Sequence, residues 1–90
     1  MTFCNNKYME KYNEHRIQLL QNIGDRLRKI RLANNMTQEE LASKAGFSRS
    51  YYTEIETGKR NTSIFNLYKL IKSLGITFDE FFDDFQDEFI

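Results

Sequence analysis

The sequence predicts an all-α domain of five helices, and three observations carry that reading. No run alternates apolar and polar residues as a half-buried strand does. Apolar residues recur instead at threes and fours, as in Ile17, Leu20, Ile23, Leu27 and Ile30. The chain holds no proline, and of its four glycines Gly46, Gly58 and Gly75 fall between periodic segments, where helix ends place them.

The first helix follows from the series that starts at Ile17 and runs to about Asn34. Tyr8 and Tyr12 continue the spacing backward, so residues 6–22 are read as helical, either joined on or as a separate arm. Gly24 weakens a continuous helix by about 1 kcal/mol without forbidding it. The expected organisation is therefore an arm or helical extension over 1–16 and a domain over 17–90. A second helix starts at Thr37-Gln38-Glu39-Glu40, a capping box in which the Thr37 hydroxyl takes the Glu40 N–H and Glu40 reaches back. Leu41, Ala42 and Ala45 form its inner face and Gly46 ends it. Ser48 caps a third helix that runs to about Thr57. Asn61-Thr62-Ser63 opens a fourth, with Ile64, Leu67, Leu70, Ile71 and Leu74 inward. Thr77-Phe78-Asp79-Glu80 is a second capping box, and the fifth helix behind it carries Phe78, Phe81, Phe82, Phe85 and Phe89 on one stripe.

Helices two and three are separated only by the residues around Gly46 and Phe47, and Ala42 is small where they would cross. This is a helix-turn-helix. On a wheel of about 100° per residue, Ser48, Tyr52 and Ile55 of the third helix face the core. Ser50, Thr53, Glu54 and Thr57 lie opposite, with Arg49 and Tyr51 on the flanks. A helix whose exposed face is short and hydrogen-bonding fits the major groove of duplex DNA, and Arg49 sits in the turn that meets base edges first.

Charge is consistent with that partner. The net charge of zero conceals a division: the thirteen Lys and Arg all lie in residues 1–72 against seven acidic residues there, a net of +6. The remaining six acidic residues fall in 73–90. Segregation of this kind points the basic part at an anion and turns the acidic end away.

The stretch IGDRLRKIRLANNMTQEELASKAGFSRSYYTEIETGKRNTSIFNLYKLIKSLGITFDEFF, residues 23–82, resembles the Cro/phage-repressor (XRE) type of helix-turn-helix domain. The matching motifs are TQEELA, the Gly46 turn, EIETGKRN and LxxLIKSLGI. FSRSYYTEIETGKRNTS is most similar to the controller proteins of restriction–modification systems, with Thr62 where most of the wider family carries proline. The resemblance implies a five-helix repressor-type fold and a homodimer that binds pseudo-palindromic double-stranded DNA and regulates transcription. By position it implies Arg49, Ser50, Tyr51, Thr53 and Glu54 at the bases, and Gln38, Lys59, Arg60 and Asn61 at phosphates. Arg31 and Glu56 match a structural salt bridge. Leu74, Ile76, Phe78, Phe81, Phe82, Phe85 and Phe89 are expected at the dimer contact, since five aromatics near the chain's end exceed what one small unit covers. As a base contact, Glu54 must accept from cytosine N4 or orient Arg49, because a bare carboxylate is repelled by phosphates.

Other chemistries find no support. Cys4 is the single cysteine and has no neighbouring ligand, which suits a reducing cytoplasm. No apolar run marks a signal peptide or a membrane span. His15 stands alone, and there is no glycine-rich phosphate loop or nucleophile with a visible base. No enzyme, metal, cofactor or small-molecule ligand is expected. The competing readings are a phage-type repressor or antitoxin with this domain, and a protein-interaction module that keeps the fold without binding DNA.

Overall fold

The computed structural model describes residues 6–85, with side chains from Tyr12 onward. Those residues form five helices and no strand: α1 (Asn6–Ala33), α2 (Gln38–Ala45), α3 (Arg49–Glu56), α4 (Ile64–Ser73) and α5 (Phe78–Phe81). Helix α1 passes position 16 without a break, so its upstream segment is joined on rather than separate. At about 1.5 Å per residue its 28 residues span about 42 Å. Ile17, on the predicted inner face, is exposed because α1 has there outrun the body it packs on.

Each of the shorter helices starts on a hydroxyl. Thr37 Oγ1 accepts the Glu40 N–H at 3.0 Å, and Glu40 Oε1 accepts the Thr37 N–H at 2.8 Å. Thr77 repeats this reciprocal box with Glu80 at α5, while Ser48 and Ser63 each accept one N–H, from Tyr51 and Asn66, at the starts of α3 and α4. Between α2 and α3, Gly46 takes φ +85° and the Phe47 N–H reaches back to Ala42 O at 2.8 Å. The left-handed residue turns the chain within a few positions, and α2 and α3 pack together. Their shared core is Leu41, Ala42, Ala45, Tyr52 and Ile55, joined by Leu27 of α1, Leu67, Leu70 and Ile71 of α4, and Phe81.

Helix α1 meets the far end of α3 at Gly24. A Cβ at that position would lie 2.2 Å from Glu56 O and 2.8 Å from Ile55 O. The two backbones touch there, which no residue larger than glycine permits. The sequence alone marks Gly24 only as a weak point; its reason is this contact.

Two expectations for the chain's end need correction. Helix α5 stops at Phe81, and Asp84 beyond it is left-handed at φ +60°. Arg26 of α1 donates to Phe81 O at 2.9 Å and to Asp83 O at 2.6 Å, taking up carbonyls that a continuing helix would use. The predicted stripe is thus broken: Phe81 is wholly buried in its own subunit and Leu74 nearly so, which removes both from any surface contact. Phe82 packs on Phe78, Phe81 and Phe85 with centroids 5.3, 4.9 and 5.1 Å away, so these rings cover one another. Phe89 lies outside the described residues. Conversely Ile64, predicted inward, is 73 % exposed, because it begins α4 ahead of the part that reaches the core. With Phe65, Tyr68 and Phe78 it lines an open apolar hollow across α4 and α5.

Candidate nucleic-acid interface

Helix α3 is held from beneath by one carboxylate. Glu56 Oε1 accepts from Arg31 Nε at 2.8 Å and from the Tyr52 hydroxyl at 2.6 Å. Its Oε2 accepts from the other arm of Arg31 at 3.1 Å and from Gln38 Nε2 at 2.7 Å. Arg31 spends its remaining nitrogen on Met36 O at 2.7 Å. The network joins α1, the α1–α2 turn, α2 and α3, and among the described residues no buried side-chain polar atom is left unpaired. Burial pushes the Glu56 carboxyl up, but hydrogen bonds from Arg31, Tyr52 and Gln38 outweigh it and hold the group below its ordinary range. The hydrogen bond to Glu56 raises Arg31 against its burial. Burial first, and then the Glu56 hydrogen bond, drives the Tyr52 hydroxyl far above its usual value. All three keep their charge states over the physiological range.

With Tyr52, Ile55 and Glu56 turned inward, Arg49 and Ser50 are exposed and Thr53 and Glu54 half-buried on the opposite side. Arg49 lies beside the start of α2, where it lines a shallow hollow with Arg31, Thr37, Gln38 and Glu39. The α2 capping box uses the N–H groups of Thr37 and Glu40. Those of Gln38 and Glu39 remain directed out of the helix end, the usual donors to an anion.

Of the predicted site residues, Arg49 and Thr53 are brought against Gln38 at the start of α2, and Tyr51, Glu54 and Arg60 against one another, with three differences of detail. The Gln38 side chain is engaged inside the protein: it donates to Glu56, and its Oε1 accepts from Thr53 Oγ1 at 3.1 Å. What it presents outward is its backbone N–H and one amide hydrogen. Glu54 does not orient Arg49; its Oε1 takes Arg60 Nε at 2.7 Å. The hydroxyl of Tyr51, a residue expected at the bases, is engaged inside the protein: it is shared with Thr62 Oγ1 at 2.7 Å and accepts from Asn66 Nδ2 at 3.0 Å. Asn66 escaped sequence reasoning altogether. A polar residue in the first turn of α4 carries no signal of its own until Tyr51 is found across from it. Lys59 and Asn61 are exposed in the loop that follows α3.

The helix-turn-helix family model matches residues 27–81. The chain belongs to the helix-turn-helix family. It is of the XRE type, and its relatives include restriction–modification controllers. Control protein C.MunI of Mycoplasma sp is 42% identical over 66 residues, which cover 72% of this chain and 89% of that one. The crystal structure of the controller C.AhdI from Aeromonas hydrophila superposes with a TM-score of 0.67 at 43% identity, over 70% of this chain and 96% of that one. The controller C.Esp1396I, solved as a tetramer with its natural 35 base-pair operator, gives 0.68 at 39% identity over 71% and 84%. In this helix-turn-helix chain α2 and α3 are the two helices of the motif. Among the described residues, no helix is long and apolar enough to cross a membrane.

Proposed function

We propose that this chain is a restriction–modification controller: a cytoplasmic transcriptional regulator that binds a pseudo-palindromic operator as a homodimer and catalyses no reaction. The observation that carries the proposal is the orientation of α3. The helix buries Tyr52, Ile55 and Glu56 and leaves Arg49, Ser50 and Thr53 together beside the open N–H groups of α2. Arg49 would enter the major groove with the first turn of α3, where bidentate donation to guanine O6 and N7 is worth about 1–3 kcal/mol. The α2 end, Lys59 and Asn61 would take phosphates on either side and fix the register. Glu54 carries its own counter-ion in Arg60, so a carboxylate on α3 no longer argues for an interaction module that has lost DNA.

The dimer face would be built from the hollow of Ile64, Phe65, Tyr68 and Phe78, with Ile76, Phe82 and Phe85 at its margin. A two-fold contact would then set two copies of α3 about 34 Å apart, one turn of duplex. Selection from a randomised duplex library tests the function directly. The wild type should enrich a two-fold symmetric site, and Arg49→Ala should bind that site at least about tenfold more weakly with its fold intact. Failure of the wild type to enrich any site at low salt would reject DNA recognition. Undiminished binding by Arg49→Ala would reject this orientation of α3.

A further inference from the structure

Arg60 belongs to the loop after α3, where a cation would ordinarily extend toward phosphate together with Lys59. It folds back instead. Its Nε donates to Glu54 Oε1 at 2.7 Å, and its guanidinium carbon stands 5.1 Å from the centroid of the Tyr51 ring. Tyr51 and Glu54 are three positions apart on α3, so they share one flank of that helix. The ring is itself fixed on several sides. Thr62 and Asn66 hold its hydroxyl, and Phe47 packs against it with centroids 5.0 Å apart. Both members of the Arg60–Glu54 pair are about half exposed, and such a pair adds roughly 0–1 kcal/mol to stability. Its consequence is direction rather than strength. The carboxylate meets the guanidinium at Nε and the ring lies against one face, and neither contact uses the two terminal nitrogens.

We infer that Glu54 is a positioning residue for Arg60, and that Arg60 reads a base edge instead of neutralising a phosphate. The inference rests on the DNA-binding role proposed above and reassigns two of its residues. An arginine whose terminal nitrogens are held parallel and whose Nε is occupied matches the paired acceptors O6 and N7 of guanine. A lone carboxylate on the groove side of α3 would be repelled by the phosphates on both walls. A carboxylate already neutralised by the cation it aims is not. Tyr51 serves as the platform, a cation–π support whose ring cannot swing while Thr62 and Asn66 hold its hydroxyl. Lys59 and Asn61 keep the phosphate role.

Binding by the wild type, Glu54→Gln, Arg60→Gln and the double variant should be compared on the library-selected duplex and on a scrambled duplex of the same composition. Removing one negative charge, by itself, tightens binding to both duplexes alike. Loss of aim has a different signature: Glu54→Gln should lower the ratio of selected to scrambled affinity by about tenfold, within the range of one bidentate base contact. The double variant should be no worse than Arg60→Gln alone, since the two residues act as one unit. In the free protein, the Arg60 Nε–H resonance should shift and exchange faster with water in Glu54→Gln. An unchanged ratio in Glu54→Gln, equal losses on both duplexes in Arg60→Gln, or an unaltered Nε–H resonance would each overturn the inference while leaving the proposed function standing. A wild type that selects no duplex would bring down that function first.

Discussion

Replacing Gly24 with alanine opposes two effects whose sizes are known well enough to give a sign. Alanine in a helix interior is better than glycine by about 1 kcal/mol, so on local grounds Gly24→Ala stabilises. Against this, the new methyl would sit 2.2 Å from Glu56 O and 2.7 Å from its carbonyl carbon. These are backbone atoms at the end of α3, tied down by the four hydrogen bonds of the Glu56 carboxylate, and they cannot rotate aside as a flexible side chain would. Relief requires α1 and α3 to separate by roughly 1 Å at their crossing, and overpacking of a fixed core costs about 1–3 kcal/mol, occasionally more. Taking the upper part of that range and subtracting the propensity gain, the net loss is about 1–2 kcal/mol. For a domain of this size it lowers the melting temperature by about 4–16 °C. Circular dichroism melts at one fixed protein concentration measure it, because dimer formation would otherwise move the midpoint. Gly75→Ala is the control. Gly75 is left-handed at φ +82° with open space around it, so only the backbone term applies, about 1–2 kcal/mol. If Gly24→Ala melts at or above the wild-type temperature, helix propensity has won and the contact between α1 and α3 is not the tight one described.

Other outcomes follow from the same geometry. Glu56→Gln leaves Arg31 buried beside a neutral amide and should cost about 3–5 kcal/mol in urea denaturation, with DNA binding lost through the fold. The pH dependence has a definite sign: the folded Glu56 carboxyl lies below its ordinary value of 4.5. Its contribution is therefore complete above pH 4.5 and lost as pH falls through the folded value, so acid unfolding should be steeper in the wild type than in Glu56→Gln. Phe65→Glu places a charge in the apolar hollow of α4 and should raise the dimer dissociation constant at least about a hundredfold in sedimentation equilibrium, with the monomer still folded. A dimer unaffected by Phe65→Glu would move the contact elsewhere.

Much of this architecture is written in local chemistry. The hydroxyls of Thr37, Ser48, Ser63 and Thr77 announce four helix starts, because a cap is an interaction between residues three apart. Tyr52 and Ile55 announce which side of α3 is buried, because helical periodicity alone decides it. The features that stayed hidden depend on residues distant in the chain. Gly24 looks like a flaw in α1 until Glu56, 32 positions later, is brought against it. The phenylalanine stripe suggests a long fifth helix, and Arg26 ends that helix from 55 positions away by claiming Phe81 O. Glu54 and Arg60 are six apart across a turn, a separation that no periodic rule connects. Tyr51 splits the difference: its flank position is periodic, but its hydroxyl's partners belong to α4 and the loop before it.

The carboxylate of Glu56 has a consequence for how a protein of this kind can acquire a new target. It divides α3 by position into anchors and letters. Positions 52, 55 and 56 bind the helix to the rest of the molecule and tolerate little exchange. Among the described residues, the side chains at 49 and 50 and of the 54–60 couple share no hydrogen bond with those anchors, and they can be rewritten as a set. A designer, or a lineage moving to a different operator, can alter what is read without renegotiating how the reading head is mounted.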